Sequence, residues 1–300
     1  MKARYWALLA ALTVQILYGL NYTFAKDVMV GGFVKPFGFI VLRVGGTAIL
    51  FWLFSFLGPK EKIDQKDFLT LVYAAFFGVA TNMLLFFKGL ELTTPIHASV
   101  IMITSPIIVL LLSSYYLKEK VTKLKVLGVV FGFTGAAVLT IYGGSKSPGD
   151  NVFLGNIMIL LNAVSYSIYI IIIKKLTYKY HPFTFIRWLF LIGFFMVLPF
   201  GFNDVAAINI TNFTPYIWFS IAFVIVGATF GTYLLNPLAL RHLKASTVTV
   251  FIYLQPLIAG IYAIIAGSDA ITSVKLIASS LIFFGVYLVT KKPKVTTLNS

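Results

Sequence analysis

Residues 105–125, SPIIVLLLSSYYLKEKVTKLK, and residues 255–275, QPLIAGIYAIIAGSDAITSVK, decide the architecture of this chain. Each begins at a proline inside a long apolar run, leaves that run through a short turn holding a carboxylate, and re-enters apolar sequence after a Thr and a Lys. With a shift of 150, Pro106 falls on Pro256, Glu119 on Asp269, Thr122 on Thr272, Lys125 on Lys275 and, further on, Gly135 on Gly285. Seven of the 35 positions from 106 to 140 are identical. Shared apolar composition inflates such matching, so the weight rests on the aligned proline, polar and glycine positions. In a chain of 300 residues, this shift lays one half on the other, with the two repeats drawn as 1–148 and 149–300.

The runs themselves name the solvent. The chain is 59% apolar and 11% charged with nine acidic residues, against about 25% charged in ordinary soluble domains, and its mean hydropathy is +0.94. Too little polar surface remains to cover a water-facing exterior, which excludes disorder, a coiled coil and a conventional cytosolic enzyme. A net charge of +15 raises the question of nucleic acid, but the basic residues fall at the ends of apolar runs, as they do in membrane proteins. No nucleic-acid partner is expected. The chain has no Cys, so disulfides and thiolate metal sites are excluded.

A membrane helix needs about 20 apolar residues to cross about 30 Å of hydrocarbon. Ten runs qualify: 5–25, 36–57, 68–87, 95–117, 124–142, 153–173, 182–202, 215–238, 245–266 and 272–290. Pro36, Pro95, Pro182 and Pro215 open four of them, suiting a first helical turn whose N–H has no partner. Even-numbered connections and both termini hold seventeen Lys and Arg; odd-numbered connections hold five. Since the basic side stays inside, both termini are expected in the cytoplasm. Five spans per half is an odd number, so the second copy enters the membrane upside down. The expected fold is therefore all-α, ten membrane helices as two inverted five-helix repeats, an arrangement in which tilting one repeat against the other opens a central site to each side in turn.

Two further sets of residues carry a family resemblance. One is Tyr18-Gly19-Leu20-Asn21 with Lys26, echoed by Tyr166-Ser167-Ile168-Tyr169 with Lys174-Lys175; the other is the repeated stretch above with Leu127-Gly128 and Gly135. With Arg43 in the second span, they make the chain similar to the drug/metabolite transporter superfamily, the EamA-type permeases. That resemblance implies a transporter of small metabolites in the cell (plasma or inner) membrane, with amino acids or related compounds as the first substrate guess and no cofactor. It departs from the usual pattern in having Tyr at 18 and 166 where Trp is common, and Asp at 269 where Glu is common.

Arg43 and Arg187 are the costliest residues, because a charge at the bilayer centre is penalised by about 2.5–3.5 kcal/mol on insertion scales. Arg43 lies seven residues inside its span, about 10 Å at the helical rise. A guanidinium lining a cavity can grip a substrate carboxylate with two prongs; the bland alternative is snorkelling to the headgroups. Pro106 and Pro256 fall in the middle of spans four and nine, where a missing N–H is tolerable beside a cavity, and they are read as hinges or flex points. Asn21, Arg43, Asn82, Tyr166, Tyr169, Tyr253 and Gln255 are the candidate substrate contacts. The polar mid-span residues, Asn162 and Asn236 among them, avoid spans five and ten, which carry Gly128, Gly132, Gly135 and Gly285 and read as close packing or a dimer face.

All nine carboxylates lie at or beyond span ends, and His97 is the one candidate for intramembrane proton uptake, so proton coupling is not asserted. Glu119 and Asp269 read as anchors of turns between consecutive spans. There is no paired intramembrane carboxylate, metal cluster or phosphate loop, so no catalytic residue and no metal ligand is assigned. The expected protein is a carrier, monomer or homodimer, embedded in the lipid bilayer and acting on a small-molecule substrate. A passive channel and an intramembrane enzyme on lipid-linked substrates are its rivals.

Overall fold

The structure is a computed structural model describing residues 2–93, 98, 101–143, 151–265 and 272–291. Among the described residues every regular element is helical. They run α1 (Lys2–Val30), α2 (Pro36–Leu53), α3 (Gln65–Ala75), α4 (Thr81–Leu92), α5 (Ser105–Tyr116), α6 (Lys123–Gly143), α7 (Val152–Leu176), α8 (Pro182–Ala206), α9 (Pro215–Ala222), α10 (Thr232–His242), α11 (Ala245–Thr249), α12 (Leu254–Ile265) and α13 (Ser273–Thr290). Several are pieces of longer rods. A widened π turn over Phe76–Ala80 joins α3 to α4, a second over Phe223–Gly231 joins α9 to α10, and a tight 3-10 turn over Val250–Tyr253 joins α11 to α12.

Seven helical rods are long and apolar enough to cross a bilayer among the described residues, with Ser105–Tyr116 and Ala245–Ile258 as shorter apolar helices. The 21 residues of α6 would extend about 31 Å at the helical rise. Pro95 and His97, together with Lys146, Asp150 and Asp269, lie outside the described residues.

Local chemistry sets the helix starts. Pro36, Pro182 and Pro215 occupy the first turns of α2, α8 and α9, where the missing N–H removes nothing. Thr122 accepts from the Lys125 N–H at 3.3 Å, and Thr272, its counterpart 150 residues on, accepts from the Lys275 N–H at 3.3 Å. Each such cap contributes about 1 kcal/mol.

Pro106 and Pro256 do not sit in the middle of continuous helices. The chain breaks just before each. Thr104 turns back onto the Ile101 carbonyl through its N–H (3.0 Å) and its hydroxyl (2.6 Å), and Pro106 then stands in the first turn of α5. Pro256 is the third residue of α12, straight after the 3-10 turn. The ring of each proline clashes with the carbonyl of an incoming α turn, so the irregularity lies on its N-terminal side.

The glycines of spans five and ten are consumed within the chain. α6 and α13 lie backbone to backbone: a Cβ on Gly285 would stand 2.5 Å from the Gly132 nitrogen, and one on Gly135 would stand 2.6 Å from the Ala278 carbonyl oxygen. Only a hydrogen fits there. The dimer-face reading of these glycines is thereby replaced by an internal helix pair. An apolar core of buried residues runs through both halves, while Tyr5, Trp6, Phe153 and Ile265 stand exposed on the outside.

Candidate functional site

Parts of seven rods converge on a cavity of about 100 Å³, several times the roughly 10–15 Å³ that one water needs. α1 contributes Tyr18 and Asn21, one turn apart, and α2 contributes Arg43. α4 brings Asn82, Met83, Phe86 and Phe87; α7 brings Asn162 and Tyr166. Tyr233 enters from α10, Met102 from just before the break ahead of α5, and Ile252 and Gln255 from the 3-10 turn and the start of α12. No residue of α6 or α13 takes part.

Arg43 is the charge of the site. It is 6% exposed, its Nε donates to the Thr229 hydroxyl at 3.2 Å, and its Cζ stands 5.6 Å from the Phe87 ring centroid. Among the described residues, no carboxylate lines the cavity. The amides around it are unevenly satisfied. Asn162 donates from Nδ2 to the Asn82 carbonyl at 2.5 Å, and Gln255 donates to Gln15 Oε1 at 2.7 Å. The Oδ1 atoms of Asn21 and Asn162 are buried and meet no donor among the described residues. A buried acceptor left unpaired costs about 1–3 kcal/mol, so these two oxygens are unmet polar groups in the packing around the cavity.

The two π turns hold this wall. A π turn leaves carbonyls out of the ordinary i to i−4 ladder, and buried carbonyls need donors. Tyr233 donates to the Gly78 carbonyl at 2.6 Å and Ser165 to the Phe77 carbonyl at 2.7 Å, both in the first π turn. In the second, Thr229 donates to the Val224 carbonyl at 2.7 Å and Thr47 to the Ile225 carbonyl at 3.4 Å. Shifted by 150, positions 76–80 fall on 226–230, inside the second turn.

Of the candidates named from sequence, Asn21, Arg43, Asn82, Tyr166 and Gln255 share the cavity wall. Tyr169 and Tyr253 stand behind it: Tyr169 packs on Gly78 with its ring 5.8 Å from that of Tyr233, and Tyr253 is fully buried against Gly132. Glycine at 78 and 132 leaves room for a ring, which turns both tyrosines into packing. Asn162, Tyr18 and Tyr233 also line the cavity, though none was among the candidate substrate contacts. Asn162 and Tyr18 were legible as a mid-span amide and as a residue one turn from Asn21. Nothing in the sequence distinguishes Met83, Met102 or Ile252 from the rest of the apolar runs. Arg187 lies elsewhere, its Cζ 5.1 Å over the Trp52 ring.

The end of the molecule formed by the connections after α2, α5, α7 and α10 is bound up differently. Glu119 does not merely anchor its own turn. Its carboxylate reaches the start of α11, accepting from the Ala245 N–H at 2.7 Å and the Ser246 hydroxyl at 2.6 Å, with Lys125 at 3.4 Å. Lys118 turns the chain toward it with φ of 52°. Glu61 likewise accepts from the His181 N–H (2.8 Å) and the Thr184 hydroxyl (2.9 Å) at the start of α8. Buried Lys174 donates to the Leu240 and Leu243 carbonyls at the end of α10. Anions at helix starts and a cation at a helix end follow the helix dipole. Asp67 holds Lys179 at 2.9 Å and accepts from the Tyr180 hydroxyl at 2.8 Å. The hydrogen bond and charge of Asp67 raise the Lys179 pKa, whereas burial, with the Arg241 charge second, lowers that of His181.

With this geometry in hand, the known proteins that resemble the chain can be placed. An uncharacterized transporter of Archaeoglobus fulgidus is 28% identical over 291 residues, covering 96% of this chain and 99% of its own length. The uncharacterized transporter YyaM of Bacillus subtilis is 23% identical over 274 residues, covering 90% and 89%. A crystal structure superposes with a TM-score of 0.79 at 17% identity, over 95% of this chain and 98% of the other, and so shares the fold. The EamA-like transporter family pattern matches residues 5–141 and again residues 153–291. A helical, multi-pass membrane chain that carries this pattern once in each half belongs to the EamA-like transporter family.

Proposed function

We propose that the protein is a secondary-type carrier of small metabolites, amino acids or related compounds first among them, working by alternating access in the cell membrane. Ten spans form two inverted five-helix repeats, with both termini cytoplasmic. The cavity is the substrate site, with Asn21, Arg43, Asn82, Tyr166 and Gln255 in contact and the breaks at Pro106 and Pro256 as flex points. Tyr169 and Tyr253 act from behind the wall. One observation carries this reading: among the described residues, a buried guanidinium lines a cavity whose wall holds no carboxylate. A substrate carboxylate would answer that charge, and a two-pronged guanidinium contact is among the stronger hydrogen-bonding arrangements. Paired irregularities in two repeats also favour a transporter site at their junction. Proton coupling forms no part of the proposal, since among the described residues neither Asp, Glu nor His lines the cavity.

Uptake into proteoliposomes, with a panel of amino acids and nucleosides and with or without internal substrate, tests the proposal. Saturable uptake stimulated from the far side supports a carrier; unsaturable flux without such stimulation makes it a channel, and chemical conversion of a lipid-linked substrate makes it an enzyme. Because the chain has no Cys, a single Cys introduced at either terminus reports its side directly. Labelling of the two termini from opposite faces would overturn the inverted repeat.

A further inference from the structure

Arg43 can offer an anion two different edges, and the structure selects between them. A guanidinium presents a side edge, Nε with one terminal nitrogen, and an end edge, the two terminal nitrogens together. Nε of Arg43 is taken up by the Thr229 hydroxyl at 3.2 Å. That hydroxyl has a single hydrogen, and it is donated to the Val224 carbonyl five residues back at 2.7 Å. A lone pair must therefore face Arg43, and the hydroxyl cannot rotate away without abandoning the carbonyl. The bond to a residue five back exists because the chain follows a π turn over Phe223–Gly231. In a regular α-helix a Thr bonds three or four residues back, and its oxygen would be aimed elsewhere. The Phe87 ring lies 5.6 Å from Cζ, so the guanidinium has a hydrogen bond at one edge and an aromatic ring beside it.

We propose that Thr229 is a positioning residue: the π turn aims its hydroxyl so that Arg43 meets the substrate anion through its two terminal nitrogens, with the Nε edge closed. The proposal rests on the carrier reading for its transport consequence, but not for its geometry. A neutral oxygen bonded to a charged donor is a strong hydrogen bond in a protein interior. Removing it frees the guanidinium to turn and offer the wrong edge, weakening substrate binding about tenfold or more while the steps that move the loaded carrier are left alone.

The test uses the full chain in lipid nanodiscs and in proteoliposomes. Among the four arginines, the Nε–H proton signal of Arg43 is identified by its loss in Arg43→Lys. It should exchange slowly with water in the wild type and in Thr229→Ser, and rapidly in Thr229→Val. Thr47→Val is the control, because Thr47 donates to the Ile225 carbonyl of the same π turn instead of accepting from Arg43; it should leave the signal unchanged. An Arg43 Nε–H as protected in Thr229→Val as in the wild type overturns the proposal, as does loss of protection in Thr47→Val to the same degree, which would mean that the π turn as a whole is responsible. In uptake of L-leucine and L-phenylalanine, Thr229→Val should raise KM about tenfold with maximal rate kept, and Thr229→Ser should restore it. A wild type that transports neither compound counts against the substrate reading alone, and the exchange measurement then decides the positioning claim.

Discussion

Arg43 and Lys125 are both buried cations, and they are treated in opposite ways. Lys125 has its charge answered: Glu119 stands at 3.4 Å, the Ser246 hydroxyl at 2.6 Å, and the same carboxylate caps α11. Among the described residues, Arg43 has one hydroxyl and the face of one ring, and no anion lines its cavity. A chain that places compensating acids at Glu61, Asp67 and Glu119 at one end leaves them out around Arg43. Paired charges are what a structural lock needs; an unanswered charge is what a site for an anionic ligand needs. The contrast separates the end that holds the helices together from the cavity proposed to receive a substrate.

The largest effect is expected at the lock. Glu119→Ala leaves Lys125 buried without its anion and the start of α11 without an acceptor, at a cost of about 3–5 kcal/mol, read as a fall in Tm. Glu119→Leu with Lys125→Met should recover most of that loss, since replacing both partners of a buried pair is often neutral. An unchanged Tm in Glu119→Ala would break the contrast. Arg43→Gln should do the reverse, sparing Tm while weakening binding of a carboxylate substrate by about 2–5 kcal/mol, roughly thirtyfold or more in KM. A fall in Tm matching that of Glu119→Ala, with KM unchanged, would make Arg43 a structural residue.

Gly285→Val forces a side chain against the Gly132 nitrogen and the Gly128 carbonyl. It should lower stability by about 1–3 kcal/mol without altering KM, because α6 and α13 do not reach the cavity. The smallest effect is on pH dependence. Burial lowers the His181 pKa from its usual 6.5, so the folded chain favours the neutral ring. Its contribution is fully present above pH 6.5 and is lost as pH falls through the lower folded-state value. Tm should therefore decline on acidification below pH 6.5 more steeply in the wild type than in His181→Gln.

Much of the outline was legible before any coordinate. Uniformly apolar runs of spanning length admit helices that cross a bilayer, and Pro at the start of several marks a helix beginning by local chemistry alone. Mid-span polar residues singled out Asn21, Arg43 and Asn82, because burying such groups is costly wherever they end up. What stayed hidden was set by neighbours distant in sequence. Tyr169 and Tyr253 look like Tyr166 in one dimension, yet Gly78 and Gly132 on other helices provide the hollows that take their rings. The π turns, which leave apolar sequence unmarked, were also hidden.

The amino-acid order by itself therefore determined the solvent, the helical character, the doubled pattern and the presence of a buried cation, since each follows from composition, period or local capping. Tertiary structure alone decided which polar groups are answered. Glu119 could have served its own turn, and only the approach of α11 made it a cap for another helix. Arg43 could have snorkelled, and only the convergence of α1, α4, α7 and the second π turn made it the charged floor of a cavity. Local sequence sets what each side chain can do, whereas partners brought from over a hundred residues away set whether it is satisfied or left to bind.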